Sequence, residues 1–317
     1  MIFYTDVKSQ FNVVSLRHIF GIVMNSCLKI KYIFLLFAIH VCSTDFLLAQ
    51  AYDDMDWRER AELLVYTPRY FGPNAFRIQE LNSGCLSSRW EVEVRGEYHY
   101  YTGDQTKNIF GRLYIPIANG KAGVEIRGVI VETYLMDEKT KQERNAIETQ
   151  PPITCNGDII ISSYYQLLQS DKVCDISVSG TLKTASGNRL CDARYTDAAS
   201  YWFEMTAGRN LLQTADESIA LRLQGMIGFY CWMTNDMVHR QNDAILYGYG
   251  GSFIWKNLTL AANWSGFHGY LKKGDMPVIF RSKLDFEVKK NILSLRYNHG
   301  IRDFLYDTYS VGLIRCF

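Results

Sequence analysis

From residue 89 onward the chain alternates apolar and polar positions with a period of two. In residues 89–101, RWEVEVRGEYHYY, Trp90, Val92, Val94, Gly96, Tyr98 and Tyr100 share one face, and Arg89, Glu91, Glu93, Arg95, Glu97 and His99 share the other. Such alternation marks a strand with unlike faces. The same reading predicts strands near 107–117, 121–135, 157–169, 173–184, 200–211, 217–233, 244–256, 258–270, 276–289, 291–302 and 307–317, twelve in all. Many reach 12 or more residues, against about 5 or 6 in soluble domains.

The connections alternate too. TGDQT, 136–156, 185–199, TNDMVHRQND, LKKGD and RDFLY take turns with the tighter ANG, SDK, LQTAD, Asn257 and Lys290. Longer external loops and short periplasmic turns are the pattern of a transmembrane barrel, and an even strand count puts both barrel ends on the periplasmic side. Aromatic residues fall at two heights. Trp90 is eight to ten residues from Tyr98 and Tyr100, which at ~3.3 Å per residue and a tilt near 40° is roughly 20 to 25 Å. Tyr309 and Phe317 repeat the spacing, and Trp255 closes another strand. Two aromatic girdles of this kind bound an apolar band. A soluble sandwich would share the period of two, but strand length, loop asymmetry and girdle spacing favour an all-β, antiparallel, up-and-down transmembrane barrel of about 12 strands.

The N-terminal region adds a route to the membrane. Lys29 and Lys31 precede an apolar run over Tyr32–Cys42, and Ala49-Gln50-Ala51 offers a small-x-small cleavage site. These features predict a secretory signal peptide within residues 1–51, with 1–23 a long n-region or a mis-assigned upstream start. The apolar run is shorter than a membrane span, and His40 and Asp45 interrupt its continuation. Residues 52–88 are expected as a periplasmic segment that lies against the barrel, enters its lumen or hangs as a free tail, with a short amphipathic helix over 53–66. Residues 89–317 form the barrel. The formal charge of +1 removes the case for a nucleic-acid binder.

The terminal YSVGLIRCF resembles the assembly signal of Gram-negative outer-membrane barrels, a last strand with alternating apolar residues and a final aromatic. YTPRYFGPNAF (66–76) and LKTASGNRLCDARYTDAASYWFEM (182–205) are similar to a poorly characterised set of such barrels. The resemblance implies outer-membrane localisation, contact with outer-membrane lipid, and periplasmic chaperones and the barrel-assembly machinery as partners during biogenesis. Its motifs carry no assigned chemistry.

If the apolar face meets lipid, the other lines the lumen. Predicted lumen residues are Arg95, Glu97, Arg112, Glu125, Arg127, Arg222, Arg281 and Arg296, with Glu91, Glu93, Asp175, Glu204, Asp285 and Glu287 beside them. Guanidiniums could bind and pass small anionic solutes; near balance of sign fits cross-strand salt bridges filling a narrow barrel at least as well. A channel or a structural surface component is therefore the leading expectation, and a surface-binding barrel acting through loops 136–156 and 185–199 is an alternative. Twelve-stranded barrels also include rim-active lipid enzymes, a phospholipase and a lipid A deacylase. Neither His-Ser signature is present, and His99, Asp104 and Ser186 are weak catalytic candidates. Ser265 and His268, three residues apart, fall on opposite faces of a strand. The cysteine spacing fits no zinc pattern, a Cys155–Cys191 disulfide is conceivable, and no cofactor or metal is expected. Arg315 falls on the lipid face two residues from the end, close enough to reach the headgroups.

Overall fold

The computed structural model describes residues 62–146 and 153–317. Its strands are β1 (Glu91–Tyr101), β2 (Asp104–Ile117), β3 (Ala122–Met136), β4 (Ile153–Cys155), β5 (Ile159–Leu168), β6 (Asp175–Lys183), β7 (Ser200–Gln213), β8 (Ile219–Met233), β9 (Gln241–Trp255), β10 (Leu258–Gly269), β11 (Val278–Val288), β12 (Asn291–Arg302) and β13 (Asp307–Cys316). Apart from β4 and β5, which do not pair with each other, every strand pairs antiparallel with its neighbours in sequence, and β1 pairs with both β2 and β13, so the sheet closes on itself. β4 and β5 share one neighbour. β4 pairs with Glu132–Tyr134 at one end of β3, and β5 with Ala122–Gly128 at the other, making a single interrupted stave. The barrel therefore has twelve staves and no open edge, as a hydrocarbon setting requires.

The strands lie close to their predicted positions, and the outward residues follow the period of two. Val94, Ile109, Phe203, Ile227, Leu260 and Val311 form part of an exposed apolar band. Trp90, Tyr98, Tyr100, Trp255, Tyr309 and Phe317 all lie on this outer surface. Among the described residues no helix is long and apolar enough to cross a membrane; the strands make the crossing. The barrel's localisation is the outer membrane, with short turns at 118–121, 169–174, 214–218, 256–257 and 289–290 at its periplasmic end. Arg315 is exposed near that end, where its Nη1 donates to Asn291 Oδ1 at 2.9 Å.

Two local features escape the alternation. The loop over 136–156 holds a helix, α1 (Glu138–Arg144), whose N-cap Asp137 accepts from the Thr140 amide at 2.7 Å. It ends at Asn145, whose φ of 55° ends the turn in left-handed backbone. The first hairpin is tighter than TGDQT suggests, because β2 already begins at Asp104.

The larger difference is the chain before β1. Residues 1–61, with the expected leader and most of the helix expected over 53–66, lie outside the described residues; Leu64–Tyr66 are not helical. Residues 62–88 run inside the barrel, as one of the expected placements had it, and they start at the mouth that carries the long loops. Asn145 and Asn235, both in outer loops, donate to the carbonyls of Leu63 and Leu64 at 2.8 Å each. Lower down, Asn74 donates to Asn108 on β2 at 3.0 Å, and Arg77 to Glu97 on β1 at 3.1 Å. Near the periplasmic end, Arg222 donates twice to the Ser83 carbonyl, at 2.7 and 3.0 Å. Tyr114 reaches the Ser87 carbonyl at 3.2 Å, and β1 then begins.

Candidate functional site

The lumen is the one interior of the barrel, and it differs in its two halves. Toward the periplasm its wall is charged. Arg95 donates to Glu97 at 2.8 Å and Glu93 at 2.9 Å, Arg112 to Glu91 at 2.9 Å and to Glu125, and Arg222 to Asp175 at 2.6 Å. Arg127 pairs with the same Glu125. Arg296 bridges Glu93 on the wall and Glu80 on the threaded segment, at 2.9 and 3.1 Å. Arg281 has a different role: it donates to the backbone carbonyls of Ile78 and Gln79 and to Ser265, and so ties the segment to β10 and β11. Beside the segment a cavity of about 330 Å³ remains, lined by Glu91, Glu204, Lys283, Asp285 and Arg296 among others.

Toward the cell exterior the lumen is full, with an aromatic cluster on one side and buried polar groups such as Asp104, Glu132 and Lys183 on the other. Trp202, Tyr230, Trp232 and Phe267 point inward from β7, β8 and β10 and receive Phe71 and Phe76 of the segment. Ring centroids lie 5.5 Å apart for Phe71–Phe76, 5.8 Å for Phe76–Trp232 and 5.4 Å for Trp232–Phe267, in edge or tilted contacts that aromatic pairs favour. Phe71 is fully buried. The Trp232 indole donates to the Tyr66 carbonyl at 2.8 Å, so the seal also fixes the segment's backbone.

A buried ion network fastens the outer loops to this seal. Arg194, from loop 184–199, donates to Asp104 at 2.6 Å and Glu132 at 2.6 and 2.9 Å; Asp104 also accepts from Arg144 at 2.7 Å and from the Tyr306 hydroxyl at 2.6 Å. Burial opposes the charge on Arg194, but Asp104 and Glu132 outweigh it and hold the guanidinium well above its ordinary pKa. Gly72 passes directly beside this group. A Cβ there would fall 2.6 Å from Arg194 Cζ, so only glycine allows the segment so close. At the mouth, burial and then the bond to Asp197 at 2.7 Å push the Tyr66 phenol far above its usual value.

The predicted lumen residues Arg95, Glu97, Arg112, Glu125, Arg127, Arg222, Arg281 and Arg296 all face inward, and each has protein partners. The weak catalytic candidates are not assembled into a site. His99 bonds Thr308 and Asn108 at 2.8 and 2.7 Å inside the lumen, and Asp104 is taken up by Arg144, Arg194 and Tyr306. Ser186 sits in loop 184–199, with its hydroxyl against Thr184 at 2.8 Å and the Ile159 amide at 3.1 Å. No disulfide joins Cys155 and Cys191; the Cys155 thiol lies 3.7 Å from Glu132 instead. Sequence reasoning missed the aromatic half of the lumen and the residues that fill it. The signal was present, since Trp202, Tyr230 and Trp232 share the strand phase of the inward Glu204 and Arg222.

No family model and no curated protein matches the chain. Its fold is similar to that of solved outer-membrane barrels. The COG4313 outer membrane channel from Pseudomonas putida F1 superposes with a TM-score of 0.54 at 10% identity, over 76% of this chain and 100% of that one. The NanC porin aligns with a TM-score of 0.48 at 8% identity, over 71% and 99%. The transport unit of the autotransporter AIDA-I from Escherichia coli gives 0.45 at 9%, over 80% and 100%.

Proposed function

We propose that the protein is an outer-membrane channel held shut by its own N-terminal segment, residues 62–88. The observation that carries this reading is the division of the lumen. Behind the aromatic seal a charged wall and a cavity of about 330 Å³ persist, and the segment beside them is held mainly by hydrogen bonds that water can replace. The likeness to a barrel described as an outer membrane channel supports the reading at the level of fold. Near balance of guanidinium and carboxylate along the wall suits small polar or zwitterionic solutes as well as anionic ones. Conduction then requires the segment to leave the seal.

The test is single-channel recording in planar bilayers. Wild-type protein should show rare openings, and a disulfide introduced through Asn74→Cys with Asn108→Cys, two side chains now in contact at 3.0 Å, should abolish them until a reductant is added. Wild-type protein that never opens at any voltage would sink the channel and leave a structural surface component, a reading the packed seal favours.

A further inference from the structure

The path of residues 62–88 has a consequence that does not depend on whether the lumen conducts. We infer that the chain crosses the outer membrane a thirteenth time, through its own barrel, and so places Glu62 at the cell surface. The bonds of the segment order it from one mouth to the other. Leu63 and Leu64 are held by Asn145 and Asn235 of the outer loops. The Gly72 amide donates to Ala193 at 2.8 Å, also in an outer loop. Asn74 reaches the upper part of β2, and Arg222 grips Ser83 at the periplasmic end of β8. Glu62 is exposed, and Leu63 is 56% exposed although apolar.

Both ends of this crossing are fixed. At the periplasmic end the segment leans on Gly208 so closely that a Cβ there would meet the Ser83 carbonyl at 2.0 Å. Gly84, with φ of 84°, then turns the chain toward β1. At the outer end the aromatic seal occupies the lumen around Phe71, which leaves no room for a second pass of the chain through the same level. While the seal is packed, the segment fills this mouth. It is in place when β1 pairs with β13, and the Phe317 amide closes that seam on the Trp90 carbonyl at 3.0 Å. Placement of Glu62 at the outer mouth thus accompanies barrel closure.

The experiment places one epitope tag between Glu62 and Leu63, one between Met237 and Val238 in the β8–β9 loop, and one between Asp171 and Lys172 in the β5–β6 turn. Each tagged protein is first checked for heat-modifiable migration, then exposed to antibody on intact and on permeabilised cells. The inference expects the Glu62 and Met237 tags to label intact cells equally, at least tenfold above the Asp171 tag. A Glu62 tag that labels only after permeabilisation, as the Asp171 tag should, overturns it. So does an exchange of the Met237 and Asp171 results, which would reverse the sidedness. If the first insertion does not assemble, Leu63→Cys probed with a membrane-impermeant maleimide, measured above the signal of the unsubstituted chain, gives the same decision.

Discussion

Phe71→Ala should release the segment without unfolding the barrel. The ring is fully buried and packs between Tyr66 and Phe76, with centroids at 5.4 and 5.5 Å. Truncating a buried Phe to Ala costs about 3 to 5 kcal/mol when the site cannot collapse. Phe76 in turn packs on Trp232 of β8 at 5.8 Å, and the surrounding barrel wall is rigid, so little collapse is available. The barrel wall keeps all its strand pairing in either state, and the cost therefore falls on the seating of residues 62–88. At about 1.4 kcal/mol per tenfold, 3 to 5 kcal/mol raises the population of the unseated segment by roughly 10²- to 10⁴-fold. Hydrogen–deuterium exchange reads this directly at the Tyr70, Gly72 and Ala75 amides, which are bonded in the seated state. Exchange across 64–78 should accelerate by that factor while β8 and β10 stay protected, and opening frequency in planar bilayers should rise with it. Unchanged exchange in a correctly assembled Phe71→Ala barrel would refute the argument, because the seal would then not be what holds the segment.

Three further expectations follow from single contacts. Arg194→Met leaves buried Glu132 without its cation, while Asp104 keeps Arg144, and losing one partner of such a pair costs about 3 to 5 kcal/mol; protease should then cut loop 184–199 while the strands resist, and an unchanged cleavage rate counts against the network as the loop's fastening. Gly208→Ala puts a Cβ onto the Ser83 carbonyl, so amide exchange should rise across residues 80–88 and not across 64–76. Asp137→Ala removes the N-cap of α1, worth about 1 kcal/mol, and pH acts on the same bond. The Thr140 backbone amide is the main cause that holds the Asp137 carboxyl below its ordinary pKa. Its contribution is therefore complete above about pH 4, the unfolded value, and is lost as pH falls through the depressed one; chemical shifts of α1 titrating upward from pH 4 instead would contradict the cap.

Most of the wall was legible because a barrel strand repeats one physical fact, lipid outside and polar contents inside, every two residues. The girdle residues Trp90, Tyr98, Tyr100, Trp255, Tyr309 and Phe317 and the inward arginines could be placed from phase alone. Arg315 shows why phase tolerates an exception: it is outward, but it lies beside the periplasmic turn and bonds Asn291, where a charge costs roughly 0 to 1 kcal/mol. Helix α1 was within reach through Asp137, but a seven-residue helix in a loop has too short a period to stand out.

What fills the barrel leaves a different kind of mark. Residues 62–88 have no period because they pair with no strand; their backbone groups are satisfied one at a time by Asn145, Asn235, Trp232, Ser265, Arg281, Arg222 and Gln166. The complementary mark lies on the wall. A water-filled lumen has no reason to place Trp202, Tyr230, Trp232 and Phe267 in phase with its charged residues, since each would expose a large apolar surface to water at ~25 cal/mol per Å². Strand ends that are apolar on both faces, together with an inward glycine such as Gly208 that admits a second backbone, imply an internal occupant. The irregular segment next to β1, TPRYFGPNAF, supplies the aromatic residues that such a wall needs, and its covalent link to the periplasmic end of β1 sets the direction in which it must thread.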